Sequence, residues 1–419
     1  MATAWRGLDL SARMRAALAD VGGRVVDLVA LGKASSAMAR AVEDSGLRVR
    51  RRLVVTTAEA ARPGDHVGDH PIAGERSLAC GRAAIAFVED GSPEVPLVMA
   101  LSGGASALAT ATVEPVGVAD LRGLWRAALR HGTDIGELNR LRASVSRVGG
   151  GALAAATVAR EVILVTMVDN VVSGPDWVGS GPATRYAPSA DELERLLGGV
   201  GLSDDPLGER WRTARRAREA WLDEHPAPPV RRVVIATPAD ALALALDEAA
   251  SRGYTSVSMG ARVVGEVADV AEEFVEVARR TGGRVAVLGA GEVAIRVGGA
   301  GRGGRCQEFA LRAAHRLAAS GRARSVAVAV ATDGRDHEPD VGGVVVAPED
   351  VVAATRRGID VAGAFTDHDT HALATAVATV LPGEPTGWNL CDLYGVVIDG
   401  GAEGAPTSPG TLDAREERS

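Results

Sequence analysis

The run Val25-Val-Asp-Leu-Val-Ala-Leu-Gly-Lys-Ala-Ser-Ser-Ala-Met-Ala39 decides how the rest of the chain is read. Val25–Leu31 is almost wholly apolar and reads as a buried strand, Gly32-Lys33 as a tight turn, and the Ala- and Ser-rich stretch beyond as a helix. A buried strand passing through a glycine turn into a helix is the repeating unit of a parallel α/β sheet. At such a turn the helix N-terminus and the Lys33 ammonium aim at one point, which suits a phosphate or a carboxylate. The glycine spacing is not that of a Walker loop.

Outward from this run the same alternation continues. Strands are expected at Val95–Leu101, Glu161–Val168, Arg232–Thr237, Arg284–Leu288, Ser325–Thr332 and Tyr394–Asp399. Between them, Val267, Val270, Ala271, Phe274 and Ala278 fall on one helical face. The fold class is therefore α/β, and 419 residues call for two domains. The stretch Asp223-Glu-His-Pro-Ala-Pro-Pro-Val-Arg231 carries three prolines and reads as a stiff connector. It divides a domain over 1–228 from one over 231–400. The remaining residues, 401–419, are rich in Gly, Pro and charge and read as a disordered tail.

Composition narrows the function. Hydrophobic residues make up 46% of the chain but aromatic ones only 3%, so the cores must be built from Ala, Val and Leu. The net charge of −8 gives no basic footprint for nucleic acid or an anionic membrane. Arg210 to Arg218 is interleaved with Glu209 and Glu219 and reads as a solvated helix face. Cys80, Cys306 and Cys391 contain no close pair, which fits a reducing compartment and excludes a disulfide framework or zinc knuckle. No signal-peptide core and no apolar run of membrane length stands out, so the expected location is the cytoplasm.

Lys33 has a further distinction. Lysine and arginine together number 46, and Lys33 is the only lysine among them. A chain whose basic positions have otherwise all become Arg keeps a lysine where a compact point charge does what a planar fork cannot. Gln307 is likewise the only glutamine, and Asn139, Asn170 and Asn389 are the only asparagines.

Four motifs carry anion or metal chemistry. Lys33 sits in the first. In the second, Ser102-Gly-Gly-Ala-Ser-Ala-Leu108, Gly103 and Gly104 free backbone amides for an anion, with the hydroxyls of Ser102 and Ser106 beside them. The third, Gly301-Arg-Gly-Gly-Arg-Cys-Gln-Glu308, sets Arg302 and Arg305 before a helix expected to begin near Phe309. The fourth, Ala331-Thr-Asp-Gly-Arg-Asp-His-Glu-Pro-Asp340, puts Asp333 at a strand end, where carboxylates commonly hold Mg²⁺ against phosphate. Polar knots follow at Asp69-His-Pro71, Leu138-Asn-Arg-Leu-Arg142 and Glu384-Pro-Thr-Gly-Trp-Asn-Leu-Cys-Asp392.

In this order the segments resemble the class II glycerate 2-kinases, the family with a C-terminal MOFRL domain. The resemblance spans roughly residues 25 to 400. It takes in Lys33, His70, the Ser102 loop, Asn139, Arg142, Ser180-Gly-Pro182, Gly265-Glu266, the 301–308 motif, Thr332-Asp-Gly334, Asn389 and Asp392. It implies a Rossmann-like N-terminal domain, a smaller α/β C-terminal domain, a cleft between them, and Mg²⁺-assisted phosphoryl transfer from ATP to a hydroxyl of glycerate. It further implies Lys33 and Arg305 as catalytic cations. Ser102, Gly103, Gly104, Ser106 and Arg302 would serve the phosphates, Asp333 and Asp169 the metal, and His70, Asn139, Arg142 and Asn389 the acceptor. Partners would be the small hydroxy acid and ATP, with neither nucleic acid nor membrane, and a homo-oligomer is compatible with this.

The sequence departs from the family where Arg-Lys-His and Lys-Gly-Gly become Arg142-Ala-Ser144 and Gly149-Gly-Gly151. The usual Gly-Asp-Asp becomes Val172-Ser-Gly174. These departures imply, as alternatives, a diverged member acting on another acceptor in specialised metabolism, or a weakly catalytic nucleotide-binding homologue. A reading as an NAD(P)-dependent hydroxypyruvate reductase would need Gly299-Ala-Gly-Arg-Gly-Gly304 to be a dinucleotide turn.

Overall fold

The computed structural model describes residues 7–170, 174–296, 301–319 and 324–400. The 401–419 tail, Val172-Ser173 and Gly299-Ala300 lie outside these. The chain forms two compact units, one over Leu10–Ala236 and one formed by the residues up to Asp9 with those from Thr237 onward.

The first unit is built on a six-stranded sheet of β1 (Val25–Leu31), β2 (Arg48–Thr56), β3 (His66–Val67), β4 (Leu97–Leu101), β5 (Val162–Met167) and β6 (Val230–Ala236). Its order is β3-β2-β1-β4-β5-β6, and every pairing is parallel. This is the doubly wound order whose direction reverses between β1 and β4. β4 and β5 are buried along their whole length, as expected of strands covered on both faces.

One strand was hidden from sequence reading by its charge. β2 opens Arg48-Val-Arg-Arg-Arg, yet Arg50 and Arg51 turn toward the buried Asp27 of β1, with nitrogens 2.6 and 2.9 Å from its Oδ2. Burial alone pushes the Asp27 carboxyl up, but the two guanidinium groups more than offset this and hold it below its ordinary value.

The Pro-rich stretch does not divide the units. It joins the helix Pro206–Glu224 to β6, the last strand of the first sheet, and so lies within the Leu10–Ala236 unit. The helix Pro206–Glu224 also corrects the solvated-face reading. Its Arg218 is 1% exposed, because the long side chain turns inward to backbone carbonyls.

The second unit carries β7 (Thr255–Ser258), β8 (Val285–Gly291), β9 (Ser325–Ala331), β10 (Val341–Val346), β11 (Thr379–Pro382) and β12 (Asp392–Ile398), in the order β11-β10-β9-β12-β8-β7. Only β7 and β8 pair in parallel; the other pairings are antiparallel. The helices Val267–Thr281 and Arg305–Ala319 cover it, and Phe274 and Phe309 meet edge to face between them at 5.1 Å. The latter helix begins at Arg305, one turn earlier than expected, because the buried Asp336 caps it. No helix among the described residues is long and apolar enough to cross a membrane.

Candidate active site

In an open parallel sheet, ligands bind beyond the carboxyl ends of the strands, where the strand order reverses. Here that point lies between β1 and β4, and the turns that follow these strands are Gly32-Lys33 and Ser102-Gly103-Gly104. The two turns are laced together. Lys33 N donates to Gly103 O at 2.9 Å, and Ser102 N to Leu31 O at 3.0 Å. Ala34 N donates to Ser102 Oγ at 3.0 Å. Ser102 is fully buried, and its hydroxyl braces the two turns.

Gly32 has φ +130°, and a Cβ there would stand 2.3 Å from Ser102 Oγ, so the turns come this close only with glycine. Gly104, at φ +83°, is flanked by Lys33 Cγ and the His70 ring, which a Cβ would meet at 3.1 and 3.3 Å. Lys33, His70 and Gly104 are thus brought together. The neighbouring Asp69 caps the helix Glu75–Glu89, accepting from Arg76 N at 3.0 Å and pairing with the Arg76 side chain at 2.7 Å.

One step along the same loop, Ser106 Oγ lies 2.7 Å from Ser180 Oγ. Both serines line a pocket with Arg142, Arg122, Ser146 and Gly149. Arg142 stands on the helix Ile135–Val145, a turn beyond the half-buried Asn139. The Arg142 guanidinium lies 5.4 Å from the Trp125 ring centre, and burial lowers its pKa to about 10. No carboxylate or carbonyl hydrogen bonds with it among the described residues.

The pocket's glycine wall is fastened from behind. Arg218 donates to Ser146 O at 2.6 Å, Tyr186 O at 2.8 Å, Gly149 O at 2.9 Å and Gly150 O at 2.7 Å. Burial lowers its pKa to about 10, and the carbonyl dipoles take the place of a counter-ion. Sequence reading missed this residue, since its only signal was a break in the Arg/Glu alternation. Asp169 lies at the carboxyl end of β5, half-buried.

In the second unit a charged cluster gathers where β8 and β9 end and β12 begins. Arg305 is ion-paired with Glu292, and its Nε lies 3.2 Å from Asp392 Oδ2. These carboxylates hold Arg305 firmly cationic against its own burial. Tyr394 donates to Asp392 Oδ2 at 2.9 Å. Burial, against the pull of Arg305 and helped by Asp336, Glu292 and Asp333, pushes the Asp392 carboxyl up to about 7. Asp333 accepts from Arg335 N at 3.0 Å, and Asn389 is buried where Leu390 N donates to Thr332 Oγ1 at 2.7 Å.

The two arginines expected as an open anion site are thus already matched. Arg302 Nη2 lies 2.5 Å from Glu338 Oε2. The amides of Cys306 and Gln307 donate to Asp336 at 2.9 and 2.8 Å, so a carboxylate of the chain occupies this helix N-terminus. Among the described residues, the side chains close enough to share one cation are Glu338, Asp340 and His371, and neither Asp333 nor Asp169 belongs to that group. Among the described residues, the strand preceding the glycines that a reductase reading would need is β8, and it ends at Gly291.

These features define a two-domain α/β protein, with a doubly wound parallel sheet in its first unit and a mixed sheet in its second. Residues 9–207 match the family described as "Domain of unknown function (DUF4147)", and residues 285–392 match the "MOFRL family". A "Putative hydroxypyruvate reductase" of Agrobacterium vitis is 29% identical over 90% of this chain and 100% of its own. The "Glycerate 2-kinase" of Pyrococcus horikoshii is 28% identical over 90% of this chain and 88% of its own. The crystal structure of a glycerate kinase from Thermotoga maritima shares the fold, with a TM-score of 0.77 at 24% identity over 94% of this chain and 97% of that one. The two family matches, together with the glycerate 2-kinase relatives, support placing the chain in the class II glycerate kinase family.

Proposed function

We propose that this chain is an ATP-dependent kinase that phosphorylates a hydroxyl of glycerate or a closely related small hydroxy acid. The observation that carries the reading is the lacing of the Lys33 turn to the Ser102–Gly104 turn at the β1/β4 switch point. The one lysine of the chain and paired glycines at that place suit a phosphate or a carboxylate. The glycerate 2-kinase relatives support the same reading.

Phosphoryl transfer asks a protein for position and charge and for little covalent work. In this reading Lys33 supplies a fixed charge to the transferring group, and His70 and the Gly104 backbone bound the place of the reacting hydroxyl. Arg305 supplies the second cation, held in one orientation by Glu292 and Asp392. Mg²⁺, when bound with the nucleotide, would neutralise phosphate charge. In this reading Asp333 or Asp169 would contribute a carboxylate to that ion, since Mg²⁺ usually takes one or two from the protein and the rest from phosphate and water.

The expected locale is the cytoplasm, and the departures at Ala143 and Gly149 favour an acceptor other than plain D-glycerate. The test is ADP release from ATP and Mg²⁺ across small hydroxy acids, D-glycerate included, with and without a chelator. Release with any of them that stops on chelation supports the reading. Absence of release with all of them sinks it. An NAD(P)H absorbance change with hydroxypyruvate would replace it by the reductase.

A further inference from the structure

We propose that Glu338, Asp340 and His371 of the second unit bind a divalent transition-metal ion of the Zn²⁺ class beside the Arg302 turn. This ion is separate from the Mg²⁺ that the kinase reading brings with the nucleotide, and the proposal does not rest on that reading.

Glu338 and Asp340 stand in the connection from β9 to β10, and His371 in the first turn of the helix Thr370–Val377. Each offers a ligand atom within 4.8 Å of the other two. The imidazole makes no hydrogen bond or ion pair with either carboxylate among the described residues, so protein does not close the gap. After a small closure, a gap of this size is spanned by two bonds of about 2.0–2.2 Å to a shared ion.

The observation that carries the proposal lies behind His371. Its Nδ1 is 3.1 Å from Oε1 of Gln307, the only glutamine of the chain and fully buried. Gln307 Nε2 in turn lies 3.1 Å from Asp336 Oδ2 and 3.3 Å from Asp336 O. The backbone carbonyl can only accept, so the amide cannot be turned round, and Gln307 Oε1 must accept from the imidazole. In the neutral ring the proton is therefore on Nδ1, and Nε2 keeps its lone pair. That is the form in which histidine ligates a metal, with its other nitrogen donating to a fixed oxygen. Nε2 has no hydrogen-bond partner among the described residues.

The carboxylates are placed to complete the set. Asp340 is exposed, and its carboxylate makes no hydrogen bond or ion pair among the described residues. Glu338 is buried and accepts from Arg302, Nη2 to Oε2 at 2.5 Å and Nε to Oε1 at 3.2 Å. A second lone pair remains on each oxygen, while the guanidinium orients the carboxylate and offsets one negative charge. Next to His371, the Thr370 hydroxyl is fully buried without a hydrogen-bond partner among the described residues, which calls for a water or an ion beside it. One imidazole and two carboxylates, completed by water, suit Zn²⁺ over Mg²⁺, which prefers oxygen alone. His371 N donates to Arg302 O at 2.8 Å, and Arg302 N to Asp369 Oδ1 at 2.9 Å. The ion would therefore tie the β9–β10 connection to the helix Thr370–Val377 around the Arg302 turn, a structural task.

The experiment is calorimetric titration of the metal-stripped full chain with ZnCl₂, without nucleotide or acceptor, and again with MgCl₂. It is repeated for Asp340→Asn and His371→Gln, with melting curves of each protein with and without Zn²⁺. Wild type should bind a single tight equivalent of Zn²⁺, and Mg²⁺ about 100-fold more weakly or worse. Each substitution should weaken the Zn²⁺ equivalent by about 100-fold or more, since a lost ligand costs more than its lost hydrogen-bonded support. Zn²⁺ at about 100 times its Kd should raise the wild-type melting temperature by about 5 °C, and at the same concentration leave both variants unmoved. Asp340 is exposed, so Asp340→Asn decides the matter even if His371→Gln folds poorly. Absence of a tight equivalent in wild type overturns the proposal. So does a tight equivalent that survives the substitutions, which would belong to other donors on the surface. Mg²⁺ bound as tightly as Zn²⁺ overturns the assignment of the ion. None of these outcomes touches the kinase reading, which stands or falls on ADP release.

Discussion

The backbone amide of Lys33 donates to the carbonyl of Gly103 at 2.9 Å, fastening the turn after β1 to the turn after β4. The backbone position of the sole lysine is thus set by main chain. Replacing it should separate activity from stability. Lys33→Ala should lower ADP release by about two to four orders of magnitude, as expected for loss of a preorganised charge. The melting temperature should move little. Lys33→Arg should also lose most activity, because a planar fork replaces a point charge beside Gly104. Near-normal turnover of Lys33→Arg would contradict the role given to this lysine.

Gly32 tests the lacing itself. Alanine there would be strained at φ +130° and would press its Cβ within 2.4 Å of Ser102 O. The turns would have to part, and we expect Gly32→Ala to cost about 2 kcal/mol or more in chemical denaturation. Ser102→Ala removes the acceptor of the Ala34 amide with little steric change, and should cost about 1–3 kcal/mol. A Gly32→Ala protein as stable as wild type would show that the close approach is not required.

How much of this was legible in the sequence differs by element. β1, β4 and β5 announce themselves as apolar runs ending at glycine or polar turns, so the first sheet and Lys33 could be read directly. β2 could not, because its arginines resemble a solvated segment until Asp27 is placed beside them. The antiparallel character of the second sheet was equally hidden, since direction depends on long-range pairing that periodicity does not encode. Within the site, Ser102 stands out in the sequence by its place after β4, whereas its bracing of the Lys33 turn depends on the fold. Asp336 stood in a quoted motif, yet its capping of a helix thirty residues upstream depends on the fold. Arg218 was lost among the arginines of its own helix.

Arg218 provides the next test. Its guanidinium answers carbonyls of Ser146, Gly149, Gly150 and Tyr186, and removal would leave these buried acceptors unpaired. Arg218→Met should destabilise the protein by about 3–5 kcal/mol, in the range for breaking a buried polar network. Arg218→Lys should recover only part, since one ammonium cannot span the four acceptors. Loss of stability below about 1 kcal/mol would mean that water can replace the clamp.

The Asp392 carboxyl links charge in the second unit to pH. Burial raises its pKa from the ordinary 3.8 to about 7, with Arg305 opposing and Asp336, Glu292 and Asp333 reinforcing the rise. A carboxyl raised on folding binds more protons in the folded state. Its stabilising contribution is complete below about pH 4 and is lost as pH rises through 7. The largest loss that one such group can produce is about 4 kcal/mol, since each tenfold change in proton affinity is worth roughly 1.4 kcal/mol. Asp392→Asn cannot titrate, yet it keeps the shape and an acceptor for Tyr394. The wild-type melting temperature should therefore fall more steeply between pH 5 and 8 than that of Asp392→Asn, after the same scan in matched ionic strength. At pH 8 the variant should still lose one of the two carboxylates around Arg305, leaving Glu292 as its ion-pair partner. If the two curves run parallel from pH 5 to 8, the titration that governs this range belongs to another group, and Asp392 is ionised throughout beside Arg305.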